Sequence, residues 1–332
     1  MKAIIPAVLS FMAAVALVRL LALSRLSQSA LDMPNERSLH VAPVPRTGGL
    51  GLLGAAGLGC ALLAPPGLWG LLALAALLSA VTFADDRVGL PVMTRLFMQI
   101  AAAVLFLALY YVGPLWLLPL AFGALIWMAN LYNFMDGSDG LAGGMTVAGF
   151  GAYAVAAIYA PAETPQAEAL AVIAACIAGA AAGFLVWNFH KASVFMGDSG
   201  SVPLGFLAAA LGIVGWQSGI WPVWFPALVF SPFIADATVT LIKRFRRGEK
   251  LTQAHKTHYY QRALRMGLGH RGTALASYVL MAAVGVSALL ARDWGPVAVA
   301  LMLGFWVVAY AALMTLIDQH WDTYSRDPAR AV

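Results

Sequence analysis

Two stretches of this chain carry acids and amides in a pattern that a simple turn or helix end does not require. The first reads Asn130-Leu-Tyr-Asn133-Phe-Met-Asp136-Gly-Ser-Asp139-Gly140, and the second Asn188-Phe-His-Lys-Ala-Ser-Val-Phe195-Met-Gly197-Asp198-Ser-Gly-Ser201. Asn130, Asn133, Asp136 and Asp139 are three apart, so neighbours share a face wherever the helix persists. Gly137 and Gly140 predict that it unwinds there, which would free backbone N–H groups for a ligand. Asp198, between glycine and small hydroxyls, suits Mg²⁺, which takes carboxylates, water and phosphate oxygens. The same residue would also serve as a helix N-cap. Phe195 suits stacking on a base, and equally well packing in a membrane.

Other polar groups fall in the same kind of place. Phe83-Ala-Asp85-Asp86-Arg87 closes an apolar run and Arg95 follows. Adjacent aspartates on a helix point about 100° apart, so they can serve different partners. Their mutual repulsion raises at least one pKa unless a cation lies near. Arg37, His40 and Arg46 could contact phosphates, although taken alone they read as an ordinary basic loop. His255 and His258 would share a helix face and suit phosphate. The preceding Lys243–Lys250 run reads as a stop-transfer and lipid-headgroup patch. Asp236 is the one acid placed inside an apolar run, either as a helix partner or as part of the site, with Arg19 a candidate counter-ion. Cys60 and Cys176 lack metal-ligand spacing and read as buried helix residues.

The elements that position these groups are membrane helices. Of the 332 residues, 61% are apolar and only 11% charged, against about 25% charged in soluble domains. Apolar runs long enough to cross a bilayer fall near 4–24, 49–65, 67–84, 95–112, 114–131, 143–160, 167–187, 202–216, 220–242, 272–291 and 294–317. The expectation is an all-α integral membrane protein of about eleven transmembrane helices, one polytopic domain over 1–332. All of the 20 Lys/Arg except Lys2, Arg19 and Arg292 fall on one side of this arrangement. Positive loops stay inside, so the N-terminus is placed outside and the C-terminus in the cytoplasm. A cleaved signal peptide would instead expel Arg25, Arg37 and Arg46, which favours retention of the first helix. Asp32, Glu36, Asp85, Asp86, Asp136, Asp139 and Asp198 share the basic side, where a metal and phosphate site would explain them.

Taken in order, DMPNERSLH…PVPRTGGLG, FADDRVGL…RLFMQ, NLYNFMDGSDGLAGG, VWNFHKASVFMGDSGS and HKTHYYQRAL resemble the polyprenyl-phosphate N-acetylhexosamine-1-phosphate transferases. That family includes undecaprenyl-phosphate GlcNAc-1-phosphate transferases and phospho-MurNAc-pentapeptide translocase. The resemblance implies transfer of a sugar-1-phosphate from a UDP-sugar to polyprenyl phosphate, with Mg²⁺ or Mn²⁺, at the cytoplasmic face of a bacterial inner membrane. It implies Asp198 as metal ligand with Asn133 as a further candidate. Asp136, Asp139, Asn188 and Phe195 would line the nucleotide pocket, with Phe195 against uracil. Arg95 would serve the nucleotide phosphates, and Asp85 and Asp86 would be catalytic acids. His258 joins the catalytic set, and His255 and Arg46 the substrate contacts. The murein branch has a lysine where Gly89 stands, and three successive histidines where this chain has His255-Lys-Thr-His258. Both departures favour the branch that initiates O-antigen and capsule. The partners are then the UDP-sugar, polyprenyl phosphate and the bilayer, with no nucleic acid and with room for a homodimer. A CDP-alcohol phosphotransferase would need Ala-Arg after its Asp-Gly, which is missing here. A secondary transporter would need its ionisable groups near the midplane.

Overall fold

The computed structural model describes residues 3–33, 43–161, 163–164, 166–250, 253 and 255–326. Glu36, Arg37 and His40 lie outside the described residues. The chain begins with α1 (Ile4–Leu23), a single turn α2 (Arg25–Gln28) and a small antiparallel pair, β1 (Leu31–Asp32) and β2 (Val44–Pro45). Then come α3 (Gly48–Leu63), α4 (Trp69–Val88), α5 (Val92–Tyr110), α6 (Leu118–Phe134), α7 (Leu141–Ile158), α8 (Ala167–Asn188) and α9 (Asp198–Gln217). The last part holds α10 (Trp224–Val229), α11 (Ser231–Arg246), α12 (Tyr259–Ala263), α13 (Gly269–Ala291) and α14 (Pro296–Ser325).

Every apolar run of the sequence becomes a helix, the ninth broken at Phe230 just before Pro232. Among the described residues, 8 helices are long and apolar enough to cross a membrane. The stretches α3, α4 and α10–α11 are not among them: α3 has 16 residues, α4 ends in Asp85-Asp86-Arg87, and α11 carries Asp236 with Lys243, Arg244 and Arg246. The all-α membrane architecture therefore stands, while the count of eleven rests on the sequence alone.

Small residues let the inner helices approach closely, as membrane bundles require. A Cβ on Gly179 of α8 would lie 2.1 Å from the Ala7 carbonyl oxygen of α1, and one on Gly205 of α9 would lie 2.2 Å from that of Met128 of α6. Around this seam Tyr132, Phe150, Tyr153, Phe230 and Phe233 pack largely edge to face, a geometry favourable beyond area burial. Cys60 and Cys176 are buried and free. The C-terminal ends of α4, α6 and α8 and the N-terminal end of α9 meet at one end of the bundle, where the polar motifs sit.

Candidate active site

The second motif is laced to the first loop by backbone. Phe195 N–H donates to Pro45 O (2.8 Å), Gly48 N–H to Phe195 O (2.9 Å) and Gly49 N–H to Met196 O (2.9 Å). The chain then turns at Gly197, whose φ of 70° disfavours side chains. A Cβ there would sit 2.9 Å from Arg46 O and 3.1 Å from Asp86 Oδ2. That turn starts α9 at Asp198, so Asp198 is its first residue and Gly197 the cap.

Six charged groups converge around this turn. Arg46 reaches Asp32 (2.6 Å) and Asp86 (3.6 Å), and Arg95 reaches Asp85 (3.2 Å) and Asp198 (3.7 Å). The two adjacent aspartates do point at different partners. Asp85 Oδ1 accepts from Leu90 N–H (2.6 Å), closing the end of α4, and its other oxygen takes Arg95. Asp86 turns toward Gly197 and Asp198 and accepts a backbone hydrogen bond from Ser199. Its Oδ2, with Arg95 Nε, is buried without a hydrogen-bond partner among the described residues. Asn133 donates to Asp198 Oδ1 (2.7 Å) and to Ser201 Oγ (3.1 Å). Asp136 is the acid under most pressure. Burial pushes its carboxyl well above the usual carboxylate range, the charges of Asp198 and Asp86 push it further, and Arg46 and the Gly197 N–H oppose them.

The shared face expected for residues 130 to 139 ends early. Helix α6 stops at Phe134, and Asn130 is spent inside the bundle on Gln99 (2.7 Å) and Ile126 O (2.8 Å). Only Asn133, Asp136 and Asp139 remain at the site. The other side of the turn is held by internal hydrogen bonds. Asn188 is buried with both ends of its amide on backbone: it accepts from Gly140 N–H (2.9 Å) and donates to Val194 O (2.9 Å). Asp139 accepts from Ala192 N–H (3.1 Å). His270, which the sequence does not flag, accepts at Nδ1 from Asp139 N–H (3.2 Å) and meets Ser138 Oγ (3.1 Å). It lies at the start of α13 after Gly267 and Gly269, and no spacing ties it to residues 138–139.

The histidine segment packs against this turn from the other side. His255 and His258 do not share a helix face, because α12 starts only at Tyr259. Their rings lie 4.8 Å apart, and His258 stacks near Phe134 (6.2 Å) and Tyr260 (5.9 Å). His258 is buried, with Nδ1 3.2 Å from Asp236 Oδ1. Asp236 thus belongs with this segment, and Arg19 lies instead over the Trp187 ring at 5.1 Å.

Among the described residues no three His, Cys, Asp or Glu side chains form a metal-ligand group. The site fits a hard cation held by few protein ligands. Asp86 Oδ2 is buried and unbonded, and Asp86, Asp136 and Asp198 repel one another. Mg²⁺ usually takes one or two carboxylates and completes its shell with water and phosphate.

Residues 68–216 match the family model described as glycosyl transferase family 4, a span holding every acid of the converging group except Asp32. Over 93% of this chain and 87% of its own length, decaprenyl-phosphate N-acetylglucosaminephosphotransferase of Mycobacterium tuberculosis is 32% identical. A probable undecaprenyl-phosphate N-acetylglucosaminyl 1-phosphate transferase of Bacillus subtilis is 25% identical over 91% of the chain and 89% of its own length. Phospho-N-acetylmuramoyl-pentapeptide-transferase of Halalkalibacterium halodurans is 43% identical, over 30% of the chain and 29% of its own length. Near-full-length identity at this level, on a bundle whose motifs meet at one end, places the chain in glycosyl transferase family 4, among the polyprenyl-phosphate N-acetylhexosamine-1-phosphate transferases.

Proposed function

We propose that this chain transfers an N-acetylhexosamine-1-phosphate from a UDP-sugar to polyprenyl (undecaprenyl) phosphate, releasing UMP, as the first membrane step of cell-surface polysaccharide synthesis. The observation that carries the reading is the meeting of Asp86, Asp136 and Asp198 with Arg46 and Arg95 at one end of the bundle. An oxygen of the acceptor phosphate attacks the phosphorus that bears the sugar. The bond from that phosphorus to the bridging oxygen breaks, and UMP leaves with the oxygen. A phosphomonoester has its second pKa near 6, so at pH 7 the acceptor is largely dianionic and little proton remains to be removed. Asp85 and Asp86 then act mainly by orientation, with a covalent aspartyl-phosphate route the alternative.

Two anions must meet, so positive charge governs the rate. Arg46 and Arg95 supply it beside Asp86 and Asp198, and His255 and His258 offer ring nitrogens to phosphate oxygens of the acceptor. A bound Mg²⁺ or Mn²⁺, held by Asp198 and Asp86 with Asn133 fixing the Asp198 carboxylate, would offset the phosphate charge as a Lewis acid. Phe195 is half-buried beside the Gly197 turn and offers its ring to uracil. Asp136, Asp139 and Asn188 shape the pocket around it.

We further propose eleven crossings, the N-terminus outside and the site facing the cytoplasm of a bacterial inner membrane. An Arg247→Cys variant should then react with an impermeant thiol reagent only in inverted vesicles, since Cys60 and Cys176 are buried. Reaction in intact cells would reverse the topology. UMP release from a panel of UDP-sugars, with and without polyprenyl phosphate, tests the reaction. Release of a different nucleotide, or release that ignores the lipid, would sink it.

A further inference from the structure

We infer that Asp236 is a positioning residue of the transfer reaction, acting through His258 and Tyr260 without touching substrate; this rests on the function proposed above. Three consecutive residues of the histidine segment end on this one carboxylate. Asp236 Oδ1 meets His258 Nδ1 (3.2 Å) and accepts from Tyr259 N–H (2.9 Å), while Oδ2 accepts from Tyr260 N–H (2.9 Å). The Thr240 hydroxyl one turn along α11 adds a fourth donor at 3.2 Å. The carboxylate therefore caps α12, supplying the acceptor that the free N–H groups of a helix start require.

The same contact fixes the His258 ring. A carboxylate acting only as acceptor requires Nδ1 to carry the hydrogen, which leaves Nε2 as the nitrogen for chemistry. The rings of Phe134 and Tyr260 lie near-parallel to the imidazole at 6.2 and 5.9 Å. The strut continues to the acid-bearing turn. Tyr260 OH donates to Phe134 O (3.1 Å) and accepts from Gln261 Nε2 (3.2 Å) and from Gly137 N–H. A Cβ on Gly137 would meet that hydroxyl at 2.2 Å, so the turn and the tyrosine are built against each other. Gly137 follows Asp136 directly. Asp236 thus ties the histidine segment to the turn that carries the charge-stressed acid, and the two substrate-facing parts come from helices more than a hundred residues apart in the chain.

A double-mutant cycle on the purified full-length chain tests this, with UMP release and the melting midpoint in detergent as readouts. Asp236→Asn and His258→Gln should each lower kcat by about tenfold or more with both KM values within about twofold. A unit acting together gives non-additive losses, so the double variant should be no slower than the worse single one. Additive losses, or wild-type kcat in either single variant, would overturn the inference. If Asp236→Asn does not fold, Tyr260→Phe keeps the ring and removes only the tie to Phe134 O and Gly137. It should lower kcat severalfold at unchanged KM, and wild-type turnover in it would overturn the inference too. Failure of the wild-type chain to release UMP would instead reject the function, not the strut.

Discussion

The two sides of the residue 136–140 turn contain similar residue types in opposite states. On the Asp198 side, Asp86 has a buried, unbonded oxygen, Asp136 is pressed by two other acids, and two arginines share three carboxylates. On the Asn188 side the inward-facing groups have partners: Asn188 on Gly140 and Val194, Asp139 on Ala192, and the Asp139 N–H on His270. Buried polar groups normally find partners. A region that leaves them unpaired is arranged for something that arrives, and the satisfied region gives it shape. Substitutions on the first side should therefore cost rate, and those on the second side stability.

The sharpest contrast is Asp86→Asn. Removing one of three repelling charges should lower kcat by about a hundredfold or more, in the range of lost electrostatic groups at such sites. The melting midpoint should stay level or rise. A variant that melts early but turns over normally would place Asp86 on the structural side.

Phe195→Leu comes next. The swap keeps apolar packing and loses a stacking contact of about 1–3 kcal/mol, so the donor KM should rise about tenfold. Dependence on polyprenyl phosphate should stay level. An unchanged donor KM with normal expression would retire the stacking role.

Asn188→Ala should behave in the other way. It strands the Gly140 N–H and the Val194 carbonyl, at about 1–3 kcal/mol for each buried group left unsatisfied. Thermal unfolding should register that loss, with turnover per folded molecule within a few-fold of wild type. A fully stable but inactive variant would move Asn188 into direct contact with substrate.

The smallest effect expected is in the pH dependence of stability. Asp136 has a raised native pKa, so between the ordinary carboxylate value near 4 and that raised value the folded state holds more protons. Stability then falls as pH rises through this window. With chelator present the melting midpoint should decline from pH 5 to 8, and Mg²⁺ should restore it most at the upper end. A flat profile that ignores Mg²⁺ would mean that the acids are not coupled through the site.

Much of this was legible from the sequence. Apolar runs located the helices, and of the acids named from the motifs, Asp32, Asp85, Asp86, Asp136 and Asp198 meet at the bundle end. Three features were hidden, each for a physical reason. Hydropathy does not distinguish inner from outer helices: α9 is 89% buried across its apolar window and α14 only 11%, and only their packing separates them. Helical spacing grouped Asn130 with Asn133, but α6 ends at Phe134 and Asn130 faces Gln99. Asp236 read as a lone membrane acid because its partners, His258 to Tyr260, lie across a loop that spacing cannot fold.

The most direct test of the central contrast is UMP release by wild type and Asp198→Asn, each assayed with and without Mg²⁺ and polyprenyl phosphate. Wild type should release UMP only when both are present, and the folded Asp198→Asn chain should release almost none at any Mg²⁺ concentration. Wild-type rates from Asp198→Asn with an unchanged Mg²⁺ requirement would contradict the account.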